Sequence, residues 1–170
     1  HAWSSNAGWS ARTLMHRLRC SLLGVTLGVV RGVRGLATAA RLEIAQFPCL
    51  SDNYGFLIHD AASGATACVD TPEVGPILKA CEQRGWTLTH ILNTHHHADH
   101  AGGNMEIKQK TGCTILGPEE IAKISTIDQL LCGGDSFTFG DHEVHVLDVG
   151  GHTMGHIAYH IPSAEAAFVG

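Results

Sequence analysis

The sequence predicts an α/β (α+β) chain whose sheets are covered by helices, an αββα-type sandwich. Two observations carry this. Short strands come first as a meander and then alternate with helices, which argues against a doubly wound sheet. The 170 residues, 44% of them hydrophobic and 16% charged, suffice for one domain with a real core.

The elements follow in order. Leu42 to Phe47 alternates and reads as a first strand, and Pro48 with Ser51-Asp52-Asn53 marks a turn. Tyr54 to Ile58 and Ala65 to Val69 read as strands joined by a hairpin-like turn over Asp60 to Gly64. Pro72 to Arg84 carries Ile77, Leu78 and Cys81 at helical spacing, with Gly85 as its C-cap. Leu88 to Leu92 is a short buried strand. A helix is expected from Asn104 to Lys110, ended by Gly112, and a strand over Thr114 to Leu116. Pro118 to Lys123 reads as a short helix, with Glu119 and Glu120 in the first turn where the macrodipole favours them. Asp135 to Phe139 and Glu143 to Leu147 flank the turn Gly140-Asp141. Ile157 to Ile161 and Ala166 to Val169 close the chain, the latter as a strand cut off at its tip.

Charge is divided unevenly. The first 42 residues hold six arginines and no acid; from Glu43 onward there are 5 basic and 16 acidic residues. So acidic a body argues against a nucleic-acid partner. The Arg-rich, acid-free residues 1–41 have the composition of an organelle transit peptide, with the mitochondrial matrix first and a plastid second. The apolar stretch Cys20 to Val30 is too short to span a bilayer, so no membrane partner is expected. Residues 42–170 form the folded domain. None of the six cysteines has CxxC spacing, and their apolar surroundings predict buried free thiols rather than a disulfide framework.

Histidine is in large excess at 13 residues, and Thr94-His95-His96-His97-Ala98-Asp99-His100 holds a His-x-His-x-Asp-His set of four potential metal ligands, His95, His97, Asp99 and His100. Neutral imidazoles with one carboxylate are the ligand set of a borderline divalent metal such as zinc, manganese or iron. In extended chain residues i, i+2 and i+4 point the same way, so His95, His97 and Asp99 are expected to converge. His100 needs the backbone to turn, and Ala101-Gly102-Gly103 supplies that freedom. His152, in the loop Gly150-Gly151-His152-Thr153-Met154-Gly155-His156, is the best candidate to complete the set. His96 falls on the opposite face of the motif, and His156 is a candidate partner behind the ligands. His142 and His145 read as solvated or core residues.

With Pro48-Cys49-Leu50-Ser51-Asp52-Asn53-Tyr54, Asn93 to Asn104 and Gly-His152-Thr-Met-Gly-His156, the region Leu42 to Gly170 resembles the glyoxalase II (hydroxyacylglutathione hydrolase) branch of the metallo-β-lactamase superfamily. The resemblance implies two divalent metals, zinc with iron or manganese as alternatives. His95, His97 and His152 would hold one, and Asp99 and His100 the second. A bridging aspartate follows a segment like Phe168-Val169-Gly170 in that family, and a later histidine completes the second site. The implied reaction is hydrolysis of the glutathione thioester S-D-lactoylglutathione to D-lactate and glutathione by a metal-bridged hydroxide, with Asp99 also able to shuttle a proton. The family's C-terminal helical region, which binds glutathione, lies beyond Gly170. The chain as it stands is therefore expected to be a poor enzyme, and a monomer. Rival readings are the mononuclear iron persulfide dioxygenase branch, another hydrolase of the fold, and a truncated non-catalytic metal-binding relative.

Overall fold

A computed structural model describes residues 41–170. The proposed transit segment, apart from Arg41, and Cys20 lie outside the described residues. The elements are β1 (Glu43–Cys49), β2 (Asn53–Asp60), β3 (Ala65–Val69), α1 (Val74–Arg84), β4 (His90–Leu92), α2 (Ala98–Ala101), α3 (Asn104–Thr111), β5 (Thr114–Gly117), β6 (Gln129–Leu130), β7 (Ser136–Phe139), β8 (His142–Asp148), β9 (Ile157–Ile161) and β10 (Ala166–Phe168). Single 3₁₀ turns span Glu119–Lys123 and Pro162–Ala164. No helix among the described residues is long and apolar enough to cross a membrane.

The strands form two sheets. The first has the order β1-β2-β3-β4-β5-β6 and the second β10-β9-β8-β7. Hairpins make β1, β2 and β3 antiparallel, whereas β3, β4, β5 and β6 run parallel. Parallel neighbours need crossovers, and α1 and α3 supply two of them. Gly85 ends α1 in the left-handed conformation at φ 67°, where a Cβ is unfavourable.

Two apolar layers result. Between the sheets, Ile58, Val69, Leu92 and Leu116 pack against Val144, Val146, Tyr159, Ile161 and Phe168. On the outer face of the first sheet, Leu57, Cys68, Ile91 and Ile115 pack against Ile77, Ala80 and Cys81 of α1 and Ile107 of α3. The parallel strands are buried on both faces, so they read as continuous apolar runs. The sandwich expected from the sequence is present as helices, sheet and sheet.

Departures from the sequence expectations are local. β6 went unread because two residues carry no period. Pro118 to Lys123 is 3₁₀, and Glu120 turns inward rather than serving the macrodipole in solvent. Cys49, Cys68, Cys81 and Cys113 are buried free thiols, as the sequence predicts.

Two buried polar contacts tie the sheets together. At one end, Tyr159, fully buried in β9, donates its hydroxyl to the Asn93 carbonyl at 2.6 Å, just before the histidine motif. At the other, the buried Asp60 carboxylate accepts from Ser63 Oγ at 2.7 Å and from the backbone N–H groups of Ala62, Ser63 and Asp141. Burial raises the Asp60 pKa, but the bonds from Ser63, Ala62 and Asp141 outweigh it and hold the carboxyl below its ordinary range.

Tyr159→Phe leaves the buried Asn93 carbonyl unpaired and is expected to lower unfolding stability by about 1–3 kcal/mol. An unchanged urea midpoint would contradict this. A carboxyl depressed by folding stabilises above the unfolded Asp pKa of about 3.9, and that contribution is lost as pH falls through its lower folded pKa. The stability gap between wild type and Asp60→Asn should therefore be present at neutral pH and narrow in acid below about pH 4. A gap independent of pH in denaturant melts would show that folding does not lower the Asp60 pKa.

Candidate metal centre

Topology gathers the site. Because β3, β4 and β5 are parallel, their carboxyl ends share one edge of the first sheet, the place where open α/β sheets bind ligands. Asp70 follows β3, Asn93 to His100 follow β4, and Glu120 follows β5. The loop from β8 to β9 brings His152 and His156 to the same edge, fixed by the bond from Ile157 N to Thr94 O at 3.0 Å.

Asp70 organises this edge. It is buried and in the left-handed region at φ 58°, a conformation costing roughly 1–2 kcal/mol in a residue with a Cβ. Its carboxylate accepts from Thr94 N at 2.8 Å and Thr94 Oγ1 at 2.7 Å, and it lies 2.8 Å from His100 Nδ1. Those bonds assign protons. His100 carries its hydrogen on Nδ1, leaving Nε2 bare, 3.5 Å from Asp99 Oδ2. Thr94 gives its hydroxyl hydrogen to Asp70, so it accepts from His95 Nδ1 at 3.0 Å. His95 Nε2 is then a bare lone pair, buried and without a hydrogen-bond partner.

An orphaned buried nitrogen is costly unless something outside the chain's own atoms satisfies it. Ligand atoms of His95, His97 and His152 all lie within 4.8 Å of one another, and His97 Nδ1 is 3.0 Å from His152 Nε2. Burial, then the neighbouring His100, His156 and His97, lower the His95 pKa to about 4 despite the opposing pull of Asp70. His95 is thus neutral at physiological pH, as a metal ligand must be. The Asp70 hydrogen bond, opposed by burial, raises that of His100. The donor set fits a borderline divalent metal.

Of the expected ligands, His95, His97 and His152 come together, and His100 and Asp99 stand beside them. Asp99 does not arrive by strand alternation, since the chain turns into α2 at Ala98, and its side chain is 58% exposed. The glycines also work differently than expected. Gly102 and Gly103 stay in the ordinary helical region, but a Cβ on Gly103 would stand 2.8 Å from the Thr71 carbonyl. They allow close approach rather than an unusual turn.

Asp70 also falls within 4.8 Å of His95 and His100 as a possible ligand. Its oxygens are committed to Thr94 and His100, so it orients ligands. Sequence reasoning missed it, although a carboxylate directly after a buried parallel strand was a usable signal. Glu120 was missed as well. Only 9% exposed, it takes the Thr153 hydroxyl on Oε1 and has His96 Nδ1 3.3 Å from Oε2. Burial raises its pKa, but Thr153 and His96 outweigh this, leaving it lowered. Asn93 and Asn104 form a buried relay in which Asn104 Nδ2 donates to Asn93 Oδ1 and Asn93 Nδ2 to the His100 carbonyl. Asn53 Nδ2 donates to the Asp99 carbonyl at 3.0 Å. His156 is 8% exposed, with Nε2 donating to the Val169 carbonyl at 2.9 Å. His142 is buried against Ser163, whereas His145 pairs with His160 on the outer face of the second sheet.

Comparison with known proteins agrees with this geometry. The profile of the Metallo-beta-lactamase superfamily matches residues 60–170. A protein named hydroxyacylglutathione hydrolase from Erythrobacter litoralis is 57% identical over 129 residues, 76% of this chain and 51% of that protein. One of the same name from Hyphomonas neptunium is 53% identical over 130 residues, again 76% and 51%. The chain therefore spans about half the length of the curated relatives it matches. Among solved structures, ETHE1 from Myxococcus xanthus aligns with a TM-score of 0.62 at 28% identity, over 71% of this chain and 54% of that one.

His95→Ala is expected to abolish tight zinc binding, because it removes the buried lone pair, while His145→Ala on the outer face leaves it intact. Zinc titration by calorimetry checks this, and equal affinities in the two variants would refute the assignment.

Proposed function

Because the chain belongs to the metallo-β-lactamase superfamily, we propose that the full protein is a metal-dependent thioester hydrolase that cleaves S-D-lactoylglutathione to D-lactate and glutathione. The observation that carries this reading is the convergence of His95, His97 and His152 on a buried, unpartnered nitrogen beside His100 and Asp99. The likeness to proteins named hydroxyacylglutathione hydrolase supports the substrate.

His95, His97 and His152 would hold one divalent ion, and His100 with Asp99 a second. Zinc is the proposed metal, with iron or manganese as alternatives. When bound, such ions supply Lewis acidity, polarising a carbonyl oxygen and lowering the pKa of water from 15.7 to about 7. Asp70 and Thr94 keep the His95 and His100 lone pairs aimed at the centre. Asp99, exposed at the mouth, is placed to hold a proton taken from water and hand it to the leaving thiolate. A bridging aspartate after Gly170 is part of the proposal. Gly170 lies against the centre: a Cβ added there would stand 2.8 Å from both Thr94 Oγ1 and His156 Nε2. Glutathione recognition falls to the C-terminal region of the full protein. The Arg-rich residues 1–41 support delivery to the mitochondrial matrix, with a plastid as alternative; a reporter fused behind residues 1–45 that stayed cytosolic would refute it.

In the complete protein, His97→Ala and Asp99→Ala are each expected to abolish turnover of S-D-lactoylglutathione, followed by loss of thioester absorbance. Near-wild-type rates in either variant would sink the site assignment. Oxygen uptake with glutathione persulfide and one iron per chain, without thioester cleavage, would replace the hydrolase with the mononuclear oxygenase.

A further inference from the structure

We propose that Glu120 is the positioning residue that fixes the two ligand-bearing loops of the metal centre against each other. This rests on the metal-centre reading above and concerns how the site is held rather than what it cleaves.

Three imidazoles must meet from two separate segments. His95 and His97 come from the tip of β4 in the first sheet; His152 comes from the loop after β8 in the second. His152 is exposed and preceded by two glycines, so its own backbone does little to fix it. Around it the other hydrogen bonds close within the loop: Gly150 N to Asp148 Oδ1, Gly151 N to Thr153 O and Val149 N to His156 O. Those bonds shape the loop, and Ile157 N, bonded to Thr94 O at 3.0 Å, anchors its far end beside His95.

Glu120 adds a second tie, next to His152 itself. It stands at the carboxyl end of β5, with its side chain 8% exposed. Oε1 accepts the hydroxyl of Thr153, the residue next to His152. Oε2 lies 3.3 Å from Nδ1 of His96, the residue between His95 and His97. The carboxylate also lies flat against Gly155, where an added Cβ would stand 3.1 Å from Cδ. The His96 ring lies 5.1 Å from that of His97 between centroids, so restraining it restrains the ligand beside it. One carboxylate therefore touches both ligand segments, by a hydrogen bond from Thr153 and by a close polar contact with His96. Lys123 Nζ, 3.8 Å from Oε2, balances its charge at the rim.

The test is metal binding by the full-length protein, stripped of metal and titrated with Co²⁺ and Zn²⁺ alone. Glu120→Ala is expected to weaken both by about ten- to a hundredfold, the usual cost of losing a group that orients ligands. Its Co²⁺ ligand-field bands should shift, because the coordination geometry loosens. Glu120→Gln keeps an acceptor for Thr153 and should restore most of the affinity. Thr153→Val removes one of the two grips and should fall between. A purely structural role would lower the apo melting temperature and leave the Co²⁺ spectrum of the folded protein unchanged. If Glu120→Ala does not fold, Thr153→Val decides: weaker Co²⁺ binding with unaltered circular dichroism supports the proposal. Wild-type affinity and spectrum in whichever variant decides would overturn it. A wild-type protein that binds no Co²⁺ overturns this proposal and the metal centre together. One that binds Co²⁺ through Glu120 as expected, yet leaves the thioester intact, overturns only the hydrolase.

Discussion

The site depends first on the hydrogen bonding of Asp70. A carboxylate with two oxygens accepts the Thr94 amide, the Thr94 hydroxyl and one nitrogen of His100. Its occupied oxygens decide which nitrogen of His95 and of His100 carries hydrogen, and so which lone pairs are available. Without it, the Thr94 hydroxyl could turn and offer its hydrogen to His95 Nδ1, and the bare nitrogen would point at a threonine. The chain tolerates the left-handed backbone at Asp70 because the surrounding bonds over-determine it, a pattern that recurs at functional sites.

Architecture makes that arrangement possible. Parallel β3, β4 and β5 deliver Asp70, the histidine motif and Glu120 to one edge, each a single residue or a short turn beyond a buried strand. Both faces of these strands are covered, one by the second sheet and one by α1 and α3. The edge therefore has a rigid base, and the loops above it need only short anchors. Asn53, Asn93 and Asn104 provide them through bonds to main-chain and side-chain groups of the motif. Residues that look like loop filler in the sequence are thus fixed partners of the ligands.

How much of this was legible follows from sequence distance. His95 and His97 could be read because alternation along a strand is a local rule. His152 could be read from its glycine-rich setting. Strands β3 and β9 were placed with their observed bounds, since apolar runs bounded by turn residues leave little latitude. Asp99 was given the right neighbourhood by the wrong route, because a four-residue helix leaves no periodic trace. Asp70 had only its place after a buried strand as a signal, and Glu120 had none, for a different reason. Asp70 meets Thr94 and His100 across 24 and 30 residues, and Glu120 meets Thr153 across 33. No window short enough to show a pattern contains both partners. The two carboxylates that organise the imidazoles are therefore the kind of residue a single sequence conceals.

The same separation bears on how the site relates to stability. Its ligands come from the loops of both sheets, so a bound ion would add a further tie between them, beside Tyr159 to Asn93, Asp60 to Asp141, Ile157 to Thr94 and Thr153 to Glu120. A ligand that binds only the folded chain stabilises it by mass action, by about 2.7 kcal/mol at a hundred times its dissociation constant. The metal-free fold does not wait for that contribution, because the Asp70 and Glu120 contacts already hold the imidazoles near one another. A neutral His95 adds no positive charge to the cluster it shares with His97, His100 and His156. Hydrogen bonds formed on folding thus contribute to assembling the centre, and an ion would have to displace the contact between His97 Nδ1 and His152 Nε2. Pre-organisation of this kind is what an open metal site at a sheet edge requires, since exposed loops offer no packing to do it instead.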